Sequence, residues 1–221
     1  MGSAASASPR GAGRPLASSH AEIRRAALAL FRERGYASTS VELVARTVGL
    51  SRTSLYSYFP RKGDIVWLGY DQSVEAMIST LARRPDDESM NESILAALRA
   101  STVFEGSERH EVRIRWEVVN SDEDLSARAA QRVERQRIAL RRFIANRLGQ
   151  SEEAFTPLVM SEAIMASSLA ASRAWAYGEF DGSFEMAVDA ATRPVLEGFA
   201  ESRNRHGPAV GDVVPSDEPV E

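Results

Sequence analysis

The sequence predicts an all-α chain: a small three-helix head followed by a larger helical body. Three observations carry this expectation. Between residues 23 and 59, apolar side chains recur at helical spacing in three short segments, each closed by a glycine or a proline. Between residues 63 and 202 the same periodicity continues in longer segments, broken at 85–88, 106–108, 121–124, 149–151 and 178–182, where Gly, Pro, Ser and Asp gather. No run alternates polarity convincingly, as a half-buried strand would. A chain of 221 residues with 43% apolar content has room for such a head and one sizeable body.

The first helix is marked by Ile23, Ala26, Ala27, Leu30 and Phe31 and is closed by Gly35. In the second, Val41, Val44, Ala45 and Val48 fall at i, i+3, i+4 and i+7. Thr39 or Ser40 caps its start, Glu42 stands at capping-box distance from Thr39, and Gly49 ends it. Ser51 then caps a third helix in which Leu55 and Phe59 face inward, Arg52, Thr53, Ser54, Ser57 and Tyr58 stay outside, and Pro60 stops the run. Two short helices joined by a tight turn, with small polar side chains opening the second, make a helix-turn-helix of the kind that enters a DNA major groove. Six further helices are expected at about 63–81, 90–104, 109–120, 125–148, 152–177 and 183–202.

Charge agrees with a nucleic-acid-binding head. Residues 1–62 hold ten basic side chains (Arg10, Arg14, Arg24, Arg25, Arg32, Arg34, Arg46, Arg52, Arg61, Lys62) and three acidic ones (Glu22, Glu33, Glu42), a balance of +7. The whole chain carries −4, so the remainder carries −11. A basic head attracts phosphates while an acidic body resists spreading over DNA. Lys62 is the single lysine among 27 basic residues.

Residues 21–70, from ALALFRERGYASTSVELVARTVGLS through SLYSYFPRKGDIV, resemble the N-terminal domain of the TetR family of one-component bacterial transcriptional regulators in spacing, glycines, aromatic pair and lysine. The resemblance implies that Arg52, Thr53, Ser54 and Ser57 face bases or nearby backbone, that Tyr56 and Tyr58 contact phosphates, and that Lys62 and Ser40 anchor the rim. Arg52 suits direct readout, because a guanidinium bonds guanine O6 and N7 together. It also implies a body with a ligand pocket among its middle helices and a homodimer formed through the last two. The expected layout is a flexible arm at 1–18, a DNA-binding domain at 19–62, a ligand-binding and dimerisation domain at 63–202, and a disordered tail at 203–221. Arg10 and Arg14 in the arm suit an adjacent minor groove, although an inert solvated tail is the simpler reading.

In the body, Ala163, Ala166, Ser167, Ala170, Ala171 and Ala174 leave room for a close helix, and Met186, Val195, Leu196 and Phe199 on the last helix suit a four-helix bundle with a second copy. Trp67, Phe104, Trp116, Val119, Phe143, Met160 and Trp175 are expected around a pocket for a small apolar or amphipathic ligand. Val66–Trp67 and the run RIRWEVV at 113–119 resemble the mycofactocin-type subgroup, whose effectors include long-chain acyl-CoA. That resemblance implies that Arg109, Arg113 or Arg115 meets the CoA phosphates, against the alternative of a solvated, salt-bridged face.

Other chemistries find no support. There is no cysteine, the three histidines His20, His110 and His206 lie far apart, and neither a Gly-rich phosphate loop nor a nucleophile elbow occurs. No cofactor, metal or enzymatic activity is therefore expected. No signal-peptide pattern or uncharged membrane-length segment is present, and the expectation is a soluble cytoplasmic protein. The function expected is a repressor of a near-palindromic operator, released by a small ligand. The alternatives are control by a partner protein, or activation in place of repression.

Overall fold

The computed structural model describes residues 19–103 and 108–206, with the backbone alone for 203–206. Among these residues run nine α-helices and no strand: α1 His20–Arg34, α2 Val41–Thr47, α3 Arg52–Tyr58, α4 Lys62–Ala82, α5 Met90–Ala100, α6 Arg109–Asn120, α7 Glu123–Leu148, α8 Phe155–Tyr177 and α9 Phe184–His206. The expected arm and most of the expected tail, with Arg10, Arg14 and Phe104, lie outside the described residues. No helix among the described residues is long and apolar enough to cross a membrane.

Local signals explain most boundaries. Ser19 and Glu22 form a reciprocal capping box on α1, with the Glu22 amide donating to Ser19 Oγ at 3.2 Å and the Ser19 amide donating to Glu22 Oε2 at 2.7 Å. Ser40 caps α2 by accepting from the Leu43 amide, and Ser51 caps α3 by accepting from the Ser54 amide. The expected Thr39–Glu42 box is not formed. Thr39 is buried and its hydroxyl donates to the Gly35 carbonyl at 2.8 Å, which closes the α1–α2 turn. Gly149 and Gly178 end α7 and α8 with φ of +65° and +80°, where any Cβ would be strained.

Three ends lie three residues or more from expectation. α5 stops at Ala100, where the Ser101 and Thr102 hydroxyls donate back to the Leu98 and Arg99 carbonyls. α8 starts at Phe155 because Ser151 Oγ accepts from the Glu153 amide and holds that segment in a turn. α9 runs on to His206, past the expected end at 202.

Two apolar clusters hold the molecule together. The larger lies in the body, where Leu140 and Ile144 of α7, Ile164 and Met165 of α8, and Val188 and Leu196 of α9 pack with Ile94, Leu95 and Leu98 of α5. The smaller is centred on the head but does not stop at residue 62. Ile23, Leu28 and Phe31 of α1, Val44 of α2 and Leu55 of α3 share it with Ile65, Val66 and Trp67 of α4, Ile114, Val118 and Val119 of α6, and Leu125 of α7. The head is thus packed onto the body through common side chains.

The junction also contains charge. α1 buries Arg24 and Leu28 beside Ile23, Ala27 and Phe31, so its inner face is turned slightly from the expected Ala26–Leu30 side. Arg24 is fully buried and its Nε donates to Glu111 Oε1 of α6 at 2.9 Å. Removing one partner strands a buried charge, whereas replacing both removes the charges together. Glu111→Ala is therefore expected to destabilise the protein by about 3–5 kcal/mol, read from chemical denaturation. The paired change Arg24→Met with Glu111→Leu should leave stability near the wild-type value in the same assay.

Candidate functional site

The DNA side is built on α3 and its supports. Leu55 and Phe59 are buried, which fixes the helix and turns Arg52, Thr53, Tyr56 and Ser57 outward as exposed side chains. Ser54 is half-buried, its hydroxyl 2.8 Å from that of Ser51, and Ser57 donates to the Ser54 carbonyl at 2.7 Å. Ser40 is exposed, with its oxygen occupied by the α2 cap.

Arg52 is tethered across the turn. Its Nη1 lies 2.7 Å from Glu42 Oε1, and its guanidinium sits 5.5 Å from the Tyr56 ring centre. A hydrogen bond with Tyr56 and then the charge of Glu42 hold its pKa above the ordinary value. At 61% side-chain exposure this ion pair is weak and can be exchanged for a stronger acceptor. Tyr58 is half-buried, edge-on to His20 at 5.1 Å.

Lys62 points inward. Its ammonium donates to the carbonyls of Tyr36 at 2.6 Å and Thr39 at 3.0 Å and lies 4.0 Å from the Tyr36 ring centre. Partial burial lowers its pKa, with Asp122 acting against the shift. The first residue of α4 thereby closes the α1–α2 connection, and any phosphate would compete with these two carbonyls.

A cavity of about 120 Å³ lies between α4, α6, α7 and α8. Of the residues expected around a pocket, Trp67, Trp116 and Val119 line it. Phe143 packs against the body core beneath Arg147, 5.0 Å away, and Met160 is buried within that core. Trp175 stands one layer back, stacked at 4.9 Å on Phe184, which does line the cavity. The sequence reading missed the polar wall: Tyr70, whose hydroxyl donates to Gln136 Oε1 at 3.1 Å, together with Ser73, Ser168 and Ser172. Burial pushes Tyr70 up to about 12.

Arg115 belongs to the same wall, and burial brings its pKa down to about 10, with Arg24 adding to the shift and Glu111 opposing it. The other two arginines expected at CoA phosphates go elsewhere. Arg109 donates to the Phe180 and Gly182 carbonyls, and Arg113 lies 3.6 Å from Glu117. The three do not form one anion cradle. No cluster of three metal-ligating side chains occurs among the described residues.

A helix-turn-helix head sharing a core with an all-helical body is the architecture of a DNA-binding regulator. Residues 23–66 match the family described as bacterial regulatory proteins of the tetR family, and residues 88–200 match the MftR C-terminal domain. The chain belongs to the TetR family, in the subgroup with the MftR type of C-terminal domain. It is 26% identical over 153 residues to the Mycobacterium tuberculosis protein named as a mycofactocin biosynthesis transcriptional regulator, MftR, a span covering 69% of this chain and 77% of that protein.

Solved structures share the fold at lower identity. NalD, the secondary repressor of the MexAB-OprM multidrug efflux pump in Pseudomonas aeruginosa, superposes with a TM-score of 0.56 at 21% identity over 80% of this chain and 92% of that one. The SmeT–triclosan complex gives 0.60 at 21% identity over 81% and 90%.

Replacing the inward-facing ammonium by Lys62→Met should lower the stability of the head by about 1–3 kcal/mol, through two unsatisfied carbonyls. Denaturation of the variant against wild type measures this. The salt dependence of its DNA affinity is expected to stay at the wild-type slope, because the lost charge faces protein.

Proposed function

We propose that this chain is a homodimeric repressor that reads a near-palindromic operator through α3 and leaves it when a small apolar or amphipathic molecule enters the cavity of the body. The observation that carries this reading is α4. Its first residue, Lys62, holds the α1–α2 connection of the head, and within about three turns its Trp67, Tyr70 and Ser73 line the cavity. One rigid helix therefore touches both ends of the proposed signal.

The DNA-facing set is Ser40, Arg52, Thr53, Ser54, Tyr56, Ser57 and Tyr58, with Arg52 exchanging Glu42 for a base and the tyrosines positioning the helix on phosphates. Lys62 acts as a brace behind them. The layout of 19–62 as reader and 63–202 as ligand and dimer module is retained as a functional division, although the two share one apolar cluster.

Dimerisation is supported by an unpartnered face. On α8, Phe155, Leu158, Ala166, Ala170 and Tyr177 lie with Glu162 and Arg173 on a stripe of exposed positions, and on α9 Met186, Ala190 and Pro194 are exposed, whereas Ala171, Val195, Leu196 and Phe199, expected at the seam, pack into the body core. Such a stripe fits the same stripe on a second copy about a twofold axis, which matches the symmetry of a palindromic operator. A partly apolar cavity between the body helices supports a small effector over release by a partner protein. As it stands the cavity has room for about one aromatic ring, so a long-chain acyl-CoA would have to widen it.

Arg52→Ala is expected to weaken specific DNA binding by about 1–3 kcal/mol and relax preference at one base pair per half-site. Competition between matched and singly altered duplexes reads both effects, and unchanged preference would remove Arg52 from base readout. Calorimetric titration of a cavity ligand with and without operator DNA tests the repressor reading itself. Affinity should drop about 5–150-fold when DNA is present, and equal affinities would refute ligand release.

A further inference from the structure

Two serine protons on the α8 side of the cavity are unspent. Elsewhere on this helix Ser161 donates to the Leu158 carbonyl and Ser167 to that of Ile164, each at 2.9 Å. In the rest of the lining, Ser73 and Ser101 likewise donate to the Tyr70 and Leu98 carbonyls of their own helices. Ser168 and Ser172 do otherwise. They stand one turn apart and line the cavity, half-buried on the side of α8 turned away from exposed Ala166, Ala170 and Tyr177. The Ser168 hydroxyl makes no hydrogen bond among the described residues. Ser172 Oγ accepts from Trp116 Nε1 of α6 at 3.4 Å and gives its own proton to no group.

A hydroxyl that already accepts a bond offers its proton more strongly, because each bond in a chain polarises the next. The Trp116 N–H and Ser172 form the first link of such a chain, and the second link calls for an acceptor inside the cavity. The buried indole N–H of Trp67, also in the lining, lacks an acceptor as well. Hydroxyl groups satisfy a neutral carbonyl, whereas they do not offset the dehydration of an ion. Arg115 of the same lining already has a partner within the protein.

Resting on the cavity reading above, we propose that the cavity takes ring-sized molecules bearing a neutral carbonyl oxygen, as in a ketone, ester or amide, with the oxygen held by Ser168 and Ser172 and the ring against Trp67 and Trp116. Residues four apart on a helix are neighbours on one face, and a carbonyl oxygen has two lone pairs, so both hydroxyls can serve one acceptor. Such a ligand ties α6 to α8 through the chain from Trp116 to Ser172 to its own oxygen. A hydrocarbon of the same shape fills the space and leaves both protons unsatisfied.

Acetophenone and α-methylstyrene separate acceptor from shape, since they differ by a carbonyl oxygen in place of a methylene group. Their difference in hydration cancels when the ratio of their affinities is compared between protein variants. Titration of the full-length protein, followed by tryptophan fluorescence and calorimetry, gives this ratio. Ser168→Ala should lower the preference for acetophenone about threefold or more, and Ser168→Ala with Ser172→Ala about tenfold or more, as the loss of one and two net hydrogen bonds implies. Ser167→Ala removes a hydroxyl bonded to its own helix and outside the cavity lining, and should leave the ratio within about twofold of wild type. Circular dichroism checks that each variant is folded, and alanine suits a helix interior.

The bound carbonyl supplies an independent reading. Accepting a hydrogen bond weakens the C=O bond, so the infrared stretch of isotope-labelled acetophenone should lie below its value in hexane when bound to wild type, and return toward that value in the double variant. A ratio that the double variant leaves unchanged, an equal loss in Ser167→Ala, or a hexane-like stretch in the wild-type complex overturns the serine site and leaves the cavity reading standing. Binding of neither compound overturns both.

Discussion

The shortness of the two DNA-reading helices governs the rest of the structure. α2 and α3 have seven residues each, too few to persist alone in water. Their order must come from packing, and Val44, Ala45, Leu55 and Phe59 supply it by joining one cluster with α1, α4 and α6. Burying each of the larger side chains contributes about 1.5–3 kcal/mol; α2 packs on α1 and α3 on α2, while α1 in turn packs on α4 and α6 of the body. The recognition helix therefore depends on the body through α1, whose direction α4 and α6 hold. Rigidity of the reader and sensitivity to the body are consequences of the same packing.

Electrostatics divides the molecule along a different line. Up to Lys62 the chain is basic and beyond it acidic, which keeps the reader attractive to phosphate and the body repelled by it. Most ion pairs of the body, such as Arg132 with Asp71 at 2.7 Å, lie at least partly in solvent and contribute little stability. The junction is different because its charges are dry. Arg24 and Glu111 fix how α1 sits on α6 with a directional bond that an apolar contact does not provide. Specific orientation is bought there with desolvation.

Much of this was legible in the chain itself. Helix ends were readable wherever a cap or a left-handed glycine sat beside a periodic apolar run, as at Ser51, Gly35 and Gly149. They were misread where a hydroxyl had two local uses. Thr39 closes a turn and does not cap a helix, and Ser151 holds a turn that delays α8. The pocket was half legible, because periodicity tells which face of a helix is inside but not whether that inside is filled. Trp116 meets a void and Met160 meets side chains, yet both lie on inner faces. The buried pair was not legible at all: Arg24 stands next to exposed Arg25, and its partner lies 87 positions away.

The two connections from cavity to head meet α1 near opposite ends. Lys62 of α4 grips the Tyr36 and Thr39 carbonyls just beyond the C-terminus of α1, while Glu111 of α6 holds Arg24 in its second turn. A ligand that moved α4 and α6 equally would carry the head along without turning it. One that acts on them unequally swings α1, and α2 and α3 go with it because they share its core. In a dimer, opposite swings of two heads change the separation of the recognition helices, which must stay near about 34–36 Å, or a multiple of it, to enter successive major grooves. On the function proposed above, an effective ligand would be one that prefers one swing over the other, since equal affinity for both shifts nothing however tightly it binds.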